Sequence, residues 1–509
     1  MKYRYILSFI IMMLLVSKPV FWETVFSFAG MEHNLILQTA DYNLREGFSG
    51  QISVNSANEV LQNETASMSV INSIAPVEYK EPNIRVLLTF DGQIYSDEIS
   101  LSFSQDGFVY EEKNGEISLL DSVEKDRLYS GEDLLQFFYG CDSEVSYLYF
   151  GTFEENTWKY DDSFSVTMVN DAGVSKQITC EGVCIIGRDE QGIYIVNELP
   201  LEHYLYYVVP SEMPSSFPLE SLKAQAICAR TYAVVHLQNE SLARYNAHVN
   251  DTTAYQVYNA TGTTNQARQA VDETRGLILC YEDEPITAFY YSCSCGHSTT
   301  PDIWPGYDAM DFPYLVYRNF DNLEEECPWY SWNYAVEEVS LENIRDGIEN
   351  RYRANAECVT VYADYSEPES ILPDSEEYNA ILELDSVSYM EIAARGTGDV
   401  AQELLVCGDE YDYIIHGEYS IRYVLGQQDY ELCLQNGETA TSTIVPSGFF
   451  EMECRYEGDE LLSYELLGGG FGHGVGMSQY GAKYLANAGY SAQDILTYYY
   501  ENVTIETIE

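Results

Sequence analysis

Three groups of residues carry side chains whose type and spacing could do chemistry. Glu212 stands in Val208-Val-Pro-Ser-Glu-Met-Pro214, an apolar stretch with a proline on either side of the carboxylate. Burial there would raise its pKa and suit it to proton donation at neutral pH. A lone glutamate is more often surface decoration, so this residue alone decides nothing. The tract Gly468-Gly-Gly-Phe-Gly-His-Gly-Val-Gly-Met-Ser-Gln-Tyr-Gly481 is the densest glycine run in the chain. No register of it gives Gly-x-Gly-x-x-Gly, and Ala482 stands where a phosphate-binding loop needs lysine. What remains is backbone that can approach a ligand closely and hold up His473, Ser478, Gln479 and Tyr480, with a tight structural turn as the alternative. Third, Cys293-Ser-Cys295-Gly-His297 places soft ligands on a short span, which suits a metal or a thiol site; a disulfide is an equal reading. Cys180-x3-Cys184 reads more readily as a disulfide or plain thiols.

Elements of both kinds must position these groups. Alternating apolar runs at Ile84–Phe90 and Glu98–Phe103, broken by Asp91-Gly92 and Asp106-Gly107, predict strands and hairpins. Strands are also expected at Gly192–Asn197, Tyr389–Ala393, Leu404–Cys407 and Phe449–Cys454. Ser215-Ser-Phe-Pro218 opens a helix over Leu219–Val235, with Leu222, Ala226, Ala229 and Ala233 on a small-residue face. Lys223 and Arg230 share the neighbouring face and look toward one region. Ser478–Ala488 is expected as a helix stopped by Gly489, and Ser491-Ala-Gln-Asp494 as the capped start of a last one. The acidic stretch 362–378 reads as an inserted loop.

Composition bounds the function. With 46% hydrophobic and 21% charged residues over 509 positions the chain is globular. Its formal net charge of -57 repels nucleic acid and anionic membranes, so neither is an expected partner. The 45 tyrosines offer flat amphipathic surface for sugars as readily as for a core. Lys2 and Arg4 precede an apolar run over Tyr5–Val16 that is short for a membrane span, and Ser27-Phe-Ala29 suits a signal peptidase. Cleavage after Ala29 is expected, an uncleaved membrane anchor being the other reading. Either makes the protein exported, and its 12 cysteines are too spread out for a small disulfide framework.

Taken in order, Val208–Pro214, Leu222-Lys-Ala-Gln-Ala-Ile-Cys-Ala-Arg-Thr-Tyr-Ala233, Asp251-Thr-Thr-Ala-Tyr-Gln-Val-Tyr258, Phe289-Tyr-Tyr-Ser-Cys-Ser-Cys-Gly296 and Gly470–Ala482 resemble the stage II sporulation protein D family, which includes amidase enhancers. The resemblance runs from about Ile84 to the C-terminus. It implies a lytic transglycosylase acting on peptidoglycan glycan strands, in sporulation or wall remodelling, with Glu212 as catalytic acid and no cofactor required. It also implies that Lys223, Arg230, Gln256, Tyr258, Tyr291, His473, Ser478, Gln479 and Tyr480 contact substrate. Cations beside Glu212 would lower its pKa, so Lys223 and Arg230 are assigned to substrate or structural hydrogen bonds.

The chain departs from the family pattern with Asn250 and Tyr255 where cysteines are common, and with His297 after Cys295-Gly296. A structural zinc held by Cys293, Cys295 and His297, with His248 as a further candidate ligand, is the metal expectation. The expected fold is α+β, mixed strands and helices forming a glycan-binding cleft: residues 1–29 signal or anchor, 30–80 linker, 81–509 the family-like domain. The rival reading is a non-catalytic wall-binding or amidase-enhancing protein on the same scaffold; a zinc hydrolase is a third.

Overall fold

Alternation of buried and exposed side chains builds the N-terminal half of the described chain. In the computed structural model, residues 79–508 are described except 91, 97, 114–115, 140–146, 170–173, 239–240, 253–254, 260–261 and 367–374. The signal segment and all but the end of the linker lie outside the described residues. Glu98–Phe103 buries Ile99, Leu101 and Phe103, and Ser163–Val169 buries Phe164, Val166 and Met168. These strands pair antiparallel within the sheet ordered Tyr129–Ser130, Glu98–Phe103, Ser163–Val169, Ser175–Glu181. A larger sheet runs Val249–Asn250, Asn83–Leu87, Ile193–Pro200, Val183–Arg188, Tyr147–Glu154, Gly107–Lys113, Glu116–Val123. Val183–Arg188 and the start of Ile193–Pro200 are buried on both faces, because one face packs into the main core and the other into a cluster around Tyr149 and Tyr194. The rings of Phe103 and Phe150 stack 5.5 Å apart between the two sheets.

The helices are α1 (Gly131–Tyr139), α2 (Leu201–Glu212), α3 (Leu219–Leu237), α4 (Asn265–Glu273), α5 (Leu341–Ala354), α6 (Ser375–Leu382), α7 (Glu418–Leu425), α8 (Gln479–Asn487) and α9 (Ala492–Tyr499). The C-terminal half packs α5 and α7 with two further antiparallel sheets into a second core. The mixture is α+β. Strand boundaries follow the expected runs closely, as at Glu98–Phe103, and Ser491 with Asp494 forms the expected capping box of α9. The span read as an inserted loop turns helical from Ser375.

α3 is the pivot. Its small face, Leu222, Ala226, Ala229 and Ala233, is fully buried in the main core. Its opposite side, Ala224, Ile227 and Cys228, enters a third core with α8 and α9. Small residues let α2 and α4 lie close, as the sequence led one to expect.

Of the two roles left open for Arg230, substrate contact or structural hydrogen bonds, the structure shows the structural one. Arg230 is fully buried and forms a two-pronged ion pair with Glu202 of α2, Nε to Oε1 at 2.9 Å and Nη2 to Oε2 at 2.7 Å. It also donates to the carbonyls of Leu277 and Val271, while Glu202 accepts from the Tyr79 hydroxyl and the Gly276 amide. A charge that deep is tolerable only when every donor and acceptor is met. We therefore expect Arg230→Ala or Glu202→Ala to cost about 3–5 kcal/mol in urea unfolding, through the partner left uncompensated.

Candidate active site

Glu212 is the last residue of α2, a helix the sequence reading did not foresee, since Pro210 stands inside it and Pro214 just beyond its end. Pro210 lies inside the final turn, and Met213 turns to extended backbone (φ -130, ψ 131). This places the carboxyl at the negative end of the helix, pointing toward the 256–258 segment. Its Oε1 accepts the Val257 amide at 2.7 Å, and the Tyr290 hydroxyl is its second donor. Burial raises its pKa to about 7, against the lowering effect of those two donors. Among the described residues, no cation and no second carboxylate is among the groups that shift it.

The polarity of the surrounding network can be read donor by donor. The Tyr204 hydroxyl donates to Gln256 Oε1 at 3.2 Å, which leaves the Gln256 amide to donate to Ala229 O and the Tyr290 hydroxyl, each at 3.2 Å. Having accepted from Gln256, Tyr290 directs its own proton to Glu212. Burial and the nearby Glu212 charge hold the Tyr290 pKa well above its usual value, so the phenol keeps that proton.

The glycine tract secures Tyr290 from behind. Tyr290 and Tyr291 pair in parallel with Met477 and Ser478. His473 Nε2 donates to Tyr290 O at 3.0 Å while its Nδ1 accepts the Val475 amide at 3.1 Å. Burial lowers the His473 pKa to about 4, so the ring is neutral with its proton on Nε2. His473 thus positions a strand. Close approach is what the glycines permit: Gly476 has φ 77°, and a Cβ there would collide with the Phe289 carbonyl. At Gly472 a Cβ would lie 2.8 Å from that of Tyr291.

The remaining expected contacts divide. Gln256 joins the Glu212 network, although it is 1% exposed and reaches the acid only through Tyr290. Tyr480 stays partly exposed, its ring edge-on to Phe217 with centroids 5.2 Å apart, and the Lys483 ammonium lies over both rings. Gln479 is nearly buried and donates to Gln225 Oε1 at 3.4 Å. Ser478 caps α8 through the Gly481 amide and donates to Glu324 Oε2 at 2.7 Å, a structural role. Tyr258 is core, its hydroxyl donating to Asn197 at 2.8 Å and its ring stacked on Tyr204. Tyr291 is 4% exposed and lies near Glu324 and Tyr499. Lys223 is held by Glu220 at 2.9 Å and Glu273 at 2.6 Å. With Arg230 in its buried pair, the two cations of α3 do not converge on one region.

The cysteine cluster does not fit a metal. Cys295 Sγ lies 3.7 Å from His297 Nε2, but the Cys293 thiol is directed to Ser294 O and toward Cys327 and Glu324. His248 is engaged elsewhere, its Nδ1 accepting the Arg85 amide at 3.0 Å. Among the described residues no three His, Cys, Asp or Glu side chains are arranged to hold an ion. A cavity of about 820 Å³ lies in the N-terminal sandwich, lined by residues such as Ser96, Leu135 and Ile193; it contains none of the groups around Glu212. The Glu212 network carries more weight than this cavity, since it joins a perturbed acid to oriented donors.

Sequence reasoning missed Tyr290, Tyr204 and Glu324. Tyr290 stands in the Phe289-Tyr-Tyr291 motif, but only the pairing with Met477 decides which of the two tyrosines faces the acid. Glu324 is buried and accepts from Ser294 N, Ser294 Oγ and Ser478 Oγ, tying its loop to the glycine tract; nothing in its sequence context sets it apart.

Comparisons with known proteins agree with the motifs. Residues 189–281 match the family model described as stage II sporulation protein, a span that includes Glu212, Lys223, Arg230, Gln256 and Tyr258. The chain is 27% identical to the amidase enhancer of Bacillus subtilis (strain 168) over 304 residues, 58% of this chain and 39% of that protein's length. It is 29% identical over 326 residues to stage II sporulation protein D of Bacillus amyloliquefaciens, covering 61% of this chain and 75% of the relative. An uncharacterized protein of Brachyspira hyodysenteriae is 40% identical over 147 residues, 26% of this chain and 39% of its own. The resemblance to the stage II sporulation protein D family is thereby shown.

Two outcomes follow from the acid's surroundings. A folded-state pKa near 7, above the 4.5 of a free glutamate, means the native state holds the proton more tightly. Stability from this group is then present at low pH and lost as pH rises from about 4.5 to 7. Glu212→Gln should accordingly be more stable than the parent at pH values above 7, by up to about 3 kcal/mol, and the difference should vanish at low pH in parallel unfolding curves. Tyr290→Phe, which removes a donor to the ionised form, should move the Glu212 titration to higher pH in an NMR experiment.

Proposed function

We propose that the chain is a lytic transglycosylase that cleaves peptidoglycan glycan strands with 1,6-anhydro sugar formation. The observation that carries this reading is a single carboxyl with a pKa near 7, served by neutral donors and with no second acid among its perturbing neighbours in the described residues. Protonated Glu212 gives its proton to the glycosidic oxygen as the bond to the anomeric carbon breaks. The resulting carboxylate, oriented by Val257 N–H and the Tyr290 hydroxyl, takes the proton of the sugar's own C6 hydroxyl as that oxygen closes on the anomeric carbon. The proton count balances and the acid is restored. A hydrolase using two carboxylates would need a partner at a set separation. A pKa near neutrality populates both forms of Glu212, which a residue acting first as acid and then as base requires.

The reading brings with it an exported protein that meets glycan strands outside the cytoplasm. Among the described residues no helix is long and apolar enough to cross a membrane. The second reading, a wall-binding protein that enhances a cell-wall amidase, is favoured by the likeness to one relative, the amidase enhancer. Product chemistry separates the two. Mass spectrometry of glycan strands stripped of stem peptides should show products lighter by one water than hydrolysis would give. Glu212→Gln should reduce their rate of formation by about 10²–10⁴-fold. Absence of anhydro products with the parent protein would leave the amidase-enhancing reading standing.

A further inference from the structure

Two buried sulfur atoms face one another beside the glycine tract, and neither the proposed proton transfers nor a metal accounts for them. Cys293 is 1% exposed and Cys327 is fully buried. They belong to separate segments that the backbone and Glu324 bring together. Cys293 exchanges two backbone hydrogen bonds with Phe471 of the glycine tract, its amide donating at 3.0 Å and its carbonyl accepting at 2.8 Å. The next residue, Ser294, donates its amide and its hydroxyl to Glu324 at 2.9 and 2.6 Å. Glu324 in turn begins the tight turn in which its carbonyl accepts the Cys327 amide at 2.8 Å. The Cys293 thiol is thereby within hydrogen-bond reach of the Cys327 sulfur, and the Tyr480 and Tyr484 phenols of α8 are close enough to both sulfurs to be perturbed by them.

As thiols the pair satisfies little. The single S–H proton of Cys293 is shared among Ser294 O at 3.4 Å, the Glu324 carboxyl and the Cys327 sulfur, and a thiol is a weak donor to any of them. Glu324 does not depend on it, since Ser294 N, Ser294 Oγ and Ser478 Oγ all donate to its two oxygens. Removing both S–H protons therefore leaves that buried carboxyl with its partners. Cys295, the nearest sulfur in sequence, is occupied elsewhere, its Sγ lying 3.7 Å from His297 Nε2. We propose that Cys293 and Cys327 are a disulfide pair, closed by exchange with a small-molecule disulfide, that staples the strand carrying Tyr290 to the 324–327 turn.

The exchange balances in two steps. The thiolate of one cysteine attacks a small disulfide, forming a mixed disulfide and releasing one small thiol; the thiolate of the other cysteine then displaces the second small thiol. Two protons and two electrons leave the cysteines and are carried off by the two small thiols. Burial, with the Cys327 sulfur and Glu324 beside it, holds the Cys293 thiol well above its ordinary pKa, so the folded reduced protein is a poor nucleophile there. The bond accordingly forms as the chain folds, before the 324–327 turn closes over the strand. Once formed it spans the loop 294–326 and adds a covalent tie to the contacts that hold Tyr290 in place.

The test uses the full chain refolded with reduced and oxidised glutathione, then unfolded in N-ethylmaleimide and digested with trypsin, which separates the two cysteines after Arg318. Mass spectrometry should find the Cys293 and Cys327 peptides joined, two hydrogen atoms lighter than their sum, with Cys295 carrying the maleimide. Dithiothreitol should lower the Tm of the refolded parent by about 5–10 °C, and Cys327→Ala should have lost most of that response. The mapping needs only the parent protein, so a variant that fails to fold leaves the proposal testable. Maleimide on both Cys293 and Cys327, Cys293 joined to Cys295 instead, or a joined pair whose reduction leaves the Tm unchanged would overturn it.

Discussion

Keeping one carboxyl away from water without handing it a cation is the constraint around which this site is arranged. Burial alone would push Glu212 up until it was a mere spectator acid, and a lysine or arginine beside it would pull it down into permanent ionisation. The Val257 amide and the Tyr290 phenol lie between these extremes: they support the anion without carrying charge. Each must then be held by something else. Val257 follows Gln256, which is fixed by Tyr204 and the α3 carbonyl of Ala229, and Tyr290 is held through its backbone by His473.

Seen this way, the basic residues of α3 are placed to stay out of the chemistry. Arg230 sinks its charge into Glu202 and backbone carbonyls, where it locks α2 to α3 and so fixes the helix that ends in Glu212. Lys223 is neutralised by Glu220 and Glu273 at the surface. In a chain with 82 acidic residues and 25 basic ones, the few cations are spent on architecture, and the acid keeps a neutral first environment.

The glycine tract has a similar indirect part. It reads as a ligand-binding floor, yet its best-defined contacts are with protein: Gly476 against the Phe289 carbonyl, Gly472 against Tyr291, His473 on the Tyr290 carbonyl, Ser478 on Glu324. Its closeness to the 289–295 strand and turn is what aims Tyr290 at Glu212. The missing side chain at these positions serves packing at van der Waals distance.

Local periodicity and capping chemistry determined the strands at Glu98–Phe103 and Phe450–Glu457, the long helix α3 with its buried small face, and the capped start of α9, because each depends on residues a few positions apart. The ordered motifs likewise singled out Glu212 and the Gln256 segment. What sequence could not decide was direction. Tyr290 and Tyr291 are adjacent and chemically identical, yet one faces the acid and the other packs toward Glu324, a choice made by parallel pairing with a segment 187 positions further along. Arg230 and Glu202, Lys223 and Glu273, and Glu324 and Ser478 are likewise matched across turns of the chain that no local pattern encodes. Burial and partner choice are properties of the assembled core: the energy of a charge or a hydroxyl depends on everything packed around it, and only the tertiary structure sets that.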